Sequence, residues 1–414
     1  MRVPFTLSDA RGIATLALDG AHLITDVVEH THAAILGPLV PGLSAPLDPV
    51  RPATTGRTRG ISGAVYRAIH AGYNVADASL DAAFRALGSP GEAEDATTAE
   101  RERALAILNG VWGDHLAEGG NRLAIEMRFR DGGAPLRLEP SAIRAAFPEP
   151  MGRVLVFVHG LCMYERAWQD GDRDRTAALA ADLGYSPLYL HYNSGLHIST
   201  NGKRFAALLE ELVAAWPEPV EEIAVVGHSM GALVARSAAH YGALRNHAWR
   251  GRLRHLVFLA APHHGSGLER VGHWADDLMG RTPFSAPFRR LGVTRSAGIT
   301  DLRYGNVVDE DWQEHDRFGH HDDRRVPLPL PDDVPCYLAA ATLGARAGDL
   351  KDWLFGDGLV PLASALGIHC NPDFCCGVPP ERQWVGYRLG HVGLLRSPEV
   401  YEKLREWLGP EANR

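Results

Sequence analysis

Six short apolar runs, at Val154 to Val158, Pro187 to Tyr192, Ile223 to Val226, Leu256 to Ala260, Tyr337 to Ala341 and Trp384 to Tyr387, alternate with helical stretches along most of the chain. Such β/α alternation implies a largely parallel sheet held between layers of helices, that is, an α/β fold. A hairpin is expected ahead of it, with Ala124 to Arg130 and Leu136 to Glu139 joined by a turn at Asp131-Gly132-Gly133. The rhythm breaks at about 265 to 334, a long mixed stretch with Trp274, Leu278, Met279, Phe284 and Phe288 in its first half. It reads as a cap or lid inserted between two strands.

The first 120 or so residues read as helical instead. Ile13, Leu16, Leu23 and Val27 recur at helical spacing, as do Ile61, Val65, Ile69, Leu80, Phe84 and Leu87 beyond a loop holding five prolines from Pro38 to Pro52. Thr97 and Glu100 have the spacing of a capping box and predict the start of a third helix. The expected organisation is an N-terminal helical segment over 1–120 and an α/β domain over 121–414. The Ala- and Gly-rich faces of the N-terminal helices could pack on that domain, pair with a second copy of the chain in a homo-oligomer, or lie on a surface.

At 414 residues the chain is long enough to bury a substantial core. A net charge of -8 gives no electrostatic reason to expect nucleic acid or an anionic membrane as a partner. The start of the sequence lacks a basic region followed by an apolar run, and no segment has the length of a membrane span, so a cytoplasmic enzyme without stable membrane insertion is expected. Five cysteines are too few for a disulfide scaffold, and Cys370, Cys375 and Cys376 are expected as free thiols. A local disulfide, or a metal site with His369, is the alternative reading of that cluster.

The chemistry-bearing motif is Gly227-His228-Ser229-Met230-Gly231, which fits G-x-S-x-G. With 44 glycines in the chain, the pattern would arise by accident in roughly one such chain in five. Its setting is what gives it weight: the apolar run Ile223 to Val226 precedes it and a helical stretch from Ala232 follows. A sharp strand-to-helix turn exposes the hydroxyl above a sheet and strains its backbone, with small residues on either side so that strand and helix can approach. The alternative is an ordinary tight turn or an anion-binding helix start.

A serine hydroxyl is a weak nucleophile near neutral pH and needs a base, which in turn needs an orienting acid. Asp357, in Gly356-Asp357-Gly358, follows a strand and is the best acid; His391, in Gly390-His391, follows the last strand and is the best base. Asp301, Asp352 and His369 are weaker substitutes. Two backbone N–H groups should stabilise the developing oxyanion: that of Met230, next to the serine, and that of Leu161, after the strand ending His159-Gly160. His159 is read as a loop organiser, and the pair His263-His264 likewise. His320-His321-Asp322-Asp323 is read as a solvated loop rather than a metal site, and no cofactor or metal is expected.

With these residues in view, the span from about 150 to 408 resembles bacterial α/β-hydrolase esterases and lipases, including those similar to the inositol deacylases of GPI anchors. The resemblance rests on V-F-V-H-G at 156–160, G-H-S-M-G at 227–231, A-P-H-H-G-S at 261–266, G-D-G-L-V-P at 356–361 and G-H at 390–391. It implies an α/β-hydrolase fold, the triad Ser229, Asp357 and His391, and a small-molecule or lipid ester as substrate. The stretch from Asp357 through Ser364 and Gly367 also resembles the acid region of true lipases. An amidase or acyltransferase would use the same groups, and an interaction protein on the same fold would use none of them.

Overall fold

The computed structural model describes residues 9–19, 98–131, 133–170, 173–266, 295–314, 323–346 and 356–409, together with isolated positions at 21, 25, 65, 67–73, 75–76, 79 and 316–317. The chain divides into two compact units: residues 1–101 with 118–123, and residues 102–117 with 124–414.

In the smaller unit residues 9–19 are helical, with Leu16 buried and Ile13 exposed; Val65 and Ile69 are helical and exposed as well. Leu23, Val27, Ile61, Leu80, Phe84, Leu87 and the proline-rich loop lie outside the described residues. Asp9 binds the Arg101 guanidinium at 2.6 Å. Thr97 is also outside the described residues, and it is the Thr98 hydroxyl that accepts the Arg101 N–H, so helix α1 (Ala99–Glu118) starts one residue later than the capping-box spacing predicts. A Thr-Thr pair offers the same hydroxyl in either register, and spacing alone does not choose.

The larger unit is built on an eight-stranded sheet. In chain order its strands are β1 (Arg128–Asp131), β2 (Ala134–Pro135), β3 (Arg153–Val158), β4 (Ser186–His191), β5 (Glu222–His228), β6 (Leu253–Leu259), β7 (Cys336–Thr342) and β8 (Gln383–Tyr387). Their order across the sheet is β8-β7-β6-β5-β3-β4-β1-β2. The six strands from β3 to β8 run parallel, and β1 joins β4 antiparallel, with Phe129 opposite Leu190. This is the α/β-hydrolase architecture. All six apolar runs are strands, whereas the expected hairpin shrinks to two short arms, and residues beyond Pro135 turn instead into helix α2 (Pro140–Ala146). Pro140 at the helix start suits that change, because its fixed φ fits the first turn and its missing N–H leaves no bond unmade.

Alternation along β3 explains the layering. Val154, Val156 and Val158 face one core, beneath helices α4 (Ile198–Ala215) and α5 (Met230–Leu244); Leu155 and Phe157 face the other, against α3 (Arg175–Leu183) and the C-terminal helix α7 (Pro398–Leu408). Such a period of two places successive side chains on opposite faces, and only a sheet covered on both sides makes both apolar. The chain crosses from one side of β3 to the other between β4 and β5, which leaves a crevice at the carboxyl ends of β3 and β5.

Most of α1 belongs to this unit, although the sequence reading groups it with the N-terminal helices. The reason is close packing: a Cβ at Gly110 would lie 2.2 Å from Cys162 Sγ. The Ser296 hydroxyl donates to the Gly110 carbonyl and Asn193 donates to that of Gly113. Within the unit Arg130 sits buried between Glu102 and Glu165, at 3.0 and 2.8 Å. Between β6 and β7 the described part of the insertion contains the short helix α6 (Ala297–Asp301). Trp274, Leu278, Met279, Phe284 and Phe288 lie outside the described residues. Among those described, no helix is long and apolar enough to cross a membrane.

Candidate active site

Ser229 stands between β5 and α5 with φ 54° and ψ −124°, a conformation that L-residues adopt only under strain. Its N–H extends the ladder to the Leu259 carbonyl at 2.8 Å, which fixes the turn to the sheet. Gly231 lets the helix come down on β3: a Cβ there would lie 2.4 Å from the carbonyl oxygens of Val158 and His159.

Asp357 lies on the loop after β7, tied back by a hydrogen bond from Leu343 N–H to the Gly356 carbonyl. Its Oδ1 accepts the N–H groups of Leu359 and Val360 at 3.0 and 2.8 Å, and its Oδ2 faces His391 Nδ1 at 2.7 Å. His391 also donates its backbone N–H to the Asp357 carbonyl. With Nδ1 committed to the carboxylate, Nε2 is the nitrogen left for a reacting group.

Ser229 and His391 line one pocket together with Gly160, Leu161, Met163, Pro262, Ser266, Leu302, Leu359 and Val360. Its walls are mostly apolar, and the titratable group on them is His391. The two N–H groups expected to face an oxyanion belong to residues beside Ser229: Met230 opens α5, and Leu161 follows Gly160. Among the described residues neither of these N–H groups has a hydrogen-bond acceptor. For Met230, at the start of α5, that is the normal condition of a first amide, and it leaves the group available to an anion.

The remaining candidates go elsewhere. Asp301 is buried and accepts from the Ile198 N–H and Asn306, with His197 Nδ1 at 3.1 Å. His369 accepts the Asn371 N–H and stacks obliquely on His264. Asp352, His320, His321 and Asp322 lie outside the described residues; Asp323 binds Arg325. All five cysteines are free thiols, and among the described residues no cluster of His, Cys, Asp and Glu is arranged to hold a metal ion.

His159 donates from Nδ1 to the Gly160 carbonyl at 2.9 Å and stacks on Tyr192; burial pushes its pKa down to about 3, so it stays neutral. His263 accepts from Arg236 while Arg325 binds its carbonyl, which together pin the turn that carries Pro262 into the pocket wall. Burial, followed by the charge of Arg236, holds His263 well below the ordinary imidazole range. One neighbour was not foreseen: His228, the variable position of the motif, donates from Nε2 to the His391 carbonyl at 3.1 Å. Its adjacency to Ser229 is the only sequence signal that could have marked it.

The family described as a domain of unknown function, DUF7379, matches residues 133–301. No curated protein matches the chain. Among solved structures, the chain is similar to the mature lipase BlEst2 of Bacillus licheniformis, at 17% identity and TM-score 0.41 over 69% of this chain and 98% of that one. It spans 53% of the same lipase in its propeptide form. It is also similar to the esterase Pf2001 of Pyrococcus furiosus, at 14% identity and TM-score 0.36 over 62% and 83%. A third likeness is to a thermophilic esterase of Thermogutta terrifontis, at 17% identity and TM-score 0.36 over 69% and 93%.

Proposed function

We propose that the chain is a serine hydrolase that cleaves carboxylic esters through an acyl-enzyme. The observation that carries this reading is the 2.7 Å bond between His391 and Asp357 on a pocket that His391 shares with the strained Ser229. In the proposed sequence Ser229 Oγ attacks the ester carbonyl as His391 Nε2 takes its proton, and Asp357 steadies the imidazolium. The N–H groups of Leu161 and Met230 receive the oxyanion. His391 then passes the proton to the leaving alcohol, and water activated by the same nitrogen releases the acid.

The apolar pocket walls support an uncharged acyl group, from a small-molecule or a lipid ester. The test is a panel of nitrophenyl esters of increasing chain length on the wild type and Ser229→Ala, with a fluorophosphonate label as a second readout. Turnover and labelling that both depend on Ser229 are expected. Ester cleavage that survives in the variant would end the proposal.

A further inference from the structure

His228 is fully buried, and the chemistry proposed above gives it no task. Its imidazole donates from Nε2 to the backbone carbonyl of His391, and the two rings lie 4.8 Å apart at a tilt of 49°. A carbonyl can only accept, so Nε2 carries the proton; Nδ1 is buried and has no partner. On the opposite side the ring meets the turn after β3, since a Cβ on Gly160 would lie 3.2 Å from His228 Nδ1. The edge of Trp168 closes the space at 6.4 Å between centroids.

The anchoring of the His391 loop makes this contact informative. Arg388, Leu389 and His391 donate their N–H groups to Gly344, Thr342 and Asp357, all at the end of β7 or on the loop that follows it. Those bonds, with the side-chain bond to Asp357, make His391 and Asp357 a unit fixed to β7. The ladders on either side of β6 join that unit to β5, which carries Ser229. The bond from His228 joins the two directly at the site, because His228 is the last residue of β5 and the immediate neighbour of Ser229.

We propose that His228 is a positioning residue that sets the placement of the His391 imidazole relative to Ser229 through its Nε2–H bond to the His391 carbonyl. The inference rests on the reading of His391 as the base. A misplacement of order 1 Å between reacting groups lowers turnover by about a hundredfold, so one hydrogen bond at this joint has leverage that the same bond elsewhere lacks.

The test compares His228→Phe, which keeps a ring and removes the donor, with His228→Gln, whose amide nitrogen reaches the place of Nε2, and His228→Asn, whose amide does not. Two readouts are used: ester turnover, and the low-field proton NMR signal of the His391 Nδ1–H held by Asp357. Near-UV circular dichroism checks folding, and His228→Asn replaces the Phe variant if the latter is not native. The Phe and Asn variants are expected to lose roughly 10- to 100-fold in kcat, with KM within about threefold, and to show a shifted or broadened low-field signal. The Gln variant is expected to stay within about threefold of the wild type and keep the signal. Wild-type turnover and signal in His228→Phe, or equal losses in Phe and Gln, would overturn the inference. Should the wild type show the signal but cleave no ester, the esterase reading fails, and the signal across the variants still decides whether His228 positions His391.

Discussion

Among the described residues of the larger unit two histidines lie against aspartates, His391 buried and His197 half-buried, and the difference between the pairs bears on the chemistry proposed for the first. His391 and Asp357 lie 2.7 Å apart, and His391 opens on a pocket that it shares with a strained serine. His197 and Asp301 lie 3.1 Å apart, yet the His197 ring is covered face to face by Trp312, 3.6 Å between centroids. Asp301 meanwhile holds the first turn of α4 through the Ile198 N–H and reaches Asn306. In the first pair the imidazole lies on a pocket that it shares with a serine; in the second the ring lies against Trp312, and the aspartate joins α4 to the segment between β6 and β7. Distance alone would rank them nearly alike.

The comparison can be broken most sharply at Ser229. Ser229→Ala is expected to lower ester turnover by roughly 10^4- to 10^6-fold with the fold intact, read from kinetics beside circular dichroism. Next, Asp357→Asn should lower kcat by roughly 10^3- to 10^4-fold. Asp301→Asn should spare the kinetics: activity within about threefold of the wild type, with a loss of about 2–3 kcal/mol in denaturant unfolding, as a buried charge-assisted network loses its acceptor. Equal kinetic damage from the two Asp→Asn changes would erase the distinction drawn between the pairs.

A histidine with no carboxylate partner sharpens it further. His159 has its pKa depressed to about 3 by burial, whereas the unfolded chain takes up that proton near pH 6.5. Between those values the unfolded state binds more protons, so this contribution is complete above about pH 6.5 and falls as the pH drops toward 3, by about 1.4 kcal/mol per pH unit. Urea unfolding of His159→Gln between pH 7 and pH 4 should show a shallower slope than the wild type; parallel slopes would refute the assignment. Glu165 adds to the same acid loss. Burial alone would raise its pKa, but the contact with His191 and the charge of Arg130 bring it down to about 2, so its stabilisation is lost as the pH falls below about 4.5.

What the sequence discloses follows the range of the forces involved. The strands of the parallel sheet are legible because each carries its apolar signature within a few residues, and the turn at Ser229 is legible because its strain must be met by its own neighbours. Asp357 and His391 are 34 positions apart, but each follows a recognisable strand, so chain order leads to both. The bond between His197 and Asp301 spans 104 positions with no local pattern at either end, and Asp301 entered only as a weaker acid. The burial of Arg130 among Glu102, Glu165 and His191 was equally hidden, since any of these residues alone reads as surface charge. The fit of α1 to the larger unit depends on the absence of side chains at Gly110 and Gly113, and a missing atom leaves no periodicity to read.

The backbone at Ser229 has a last consequence. A serine held at φ 54° and ψ −124° sits about 1–3 kcal/mol above a relaxed residue, and glycine would occupy the same angles with far less strain. For the nucleophile proposed above, heat resistance and turnover therefore pull this one codon in opposite directions. A library of the chain screened only for survival at high temperature ought to erase Ser229 early and replace it with glycine, handing back a sturdier protein that has forgotten how to react.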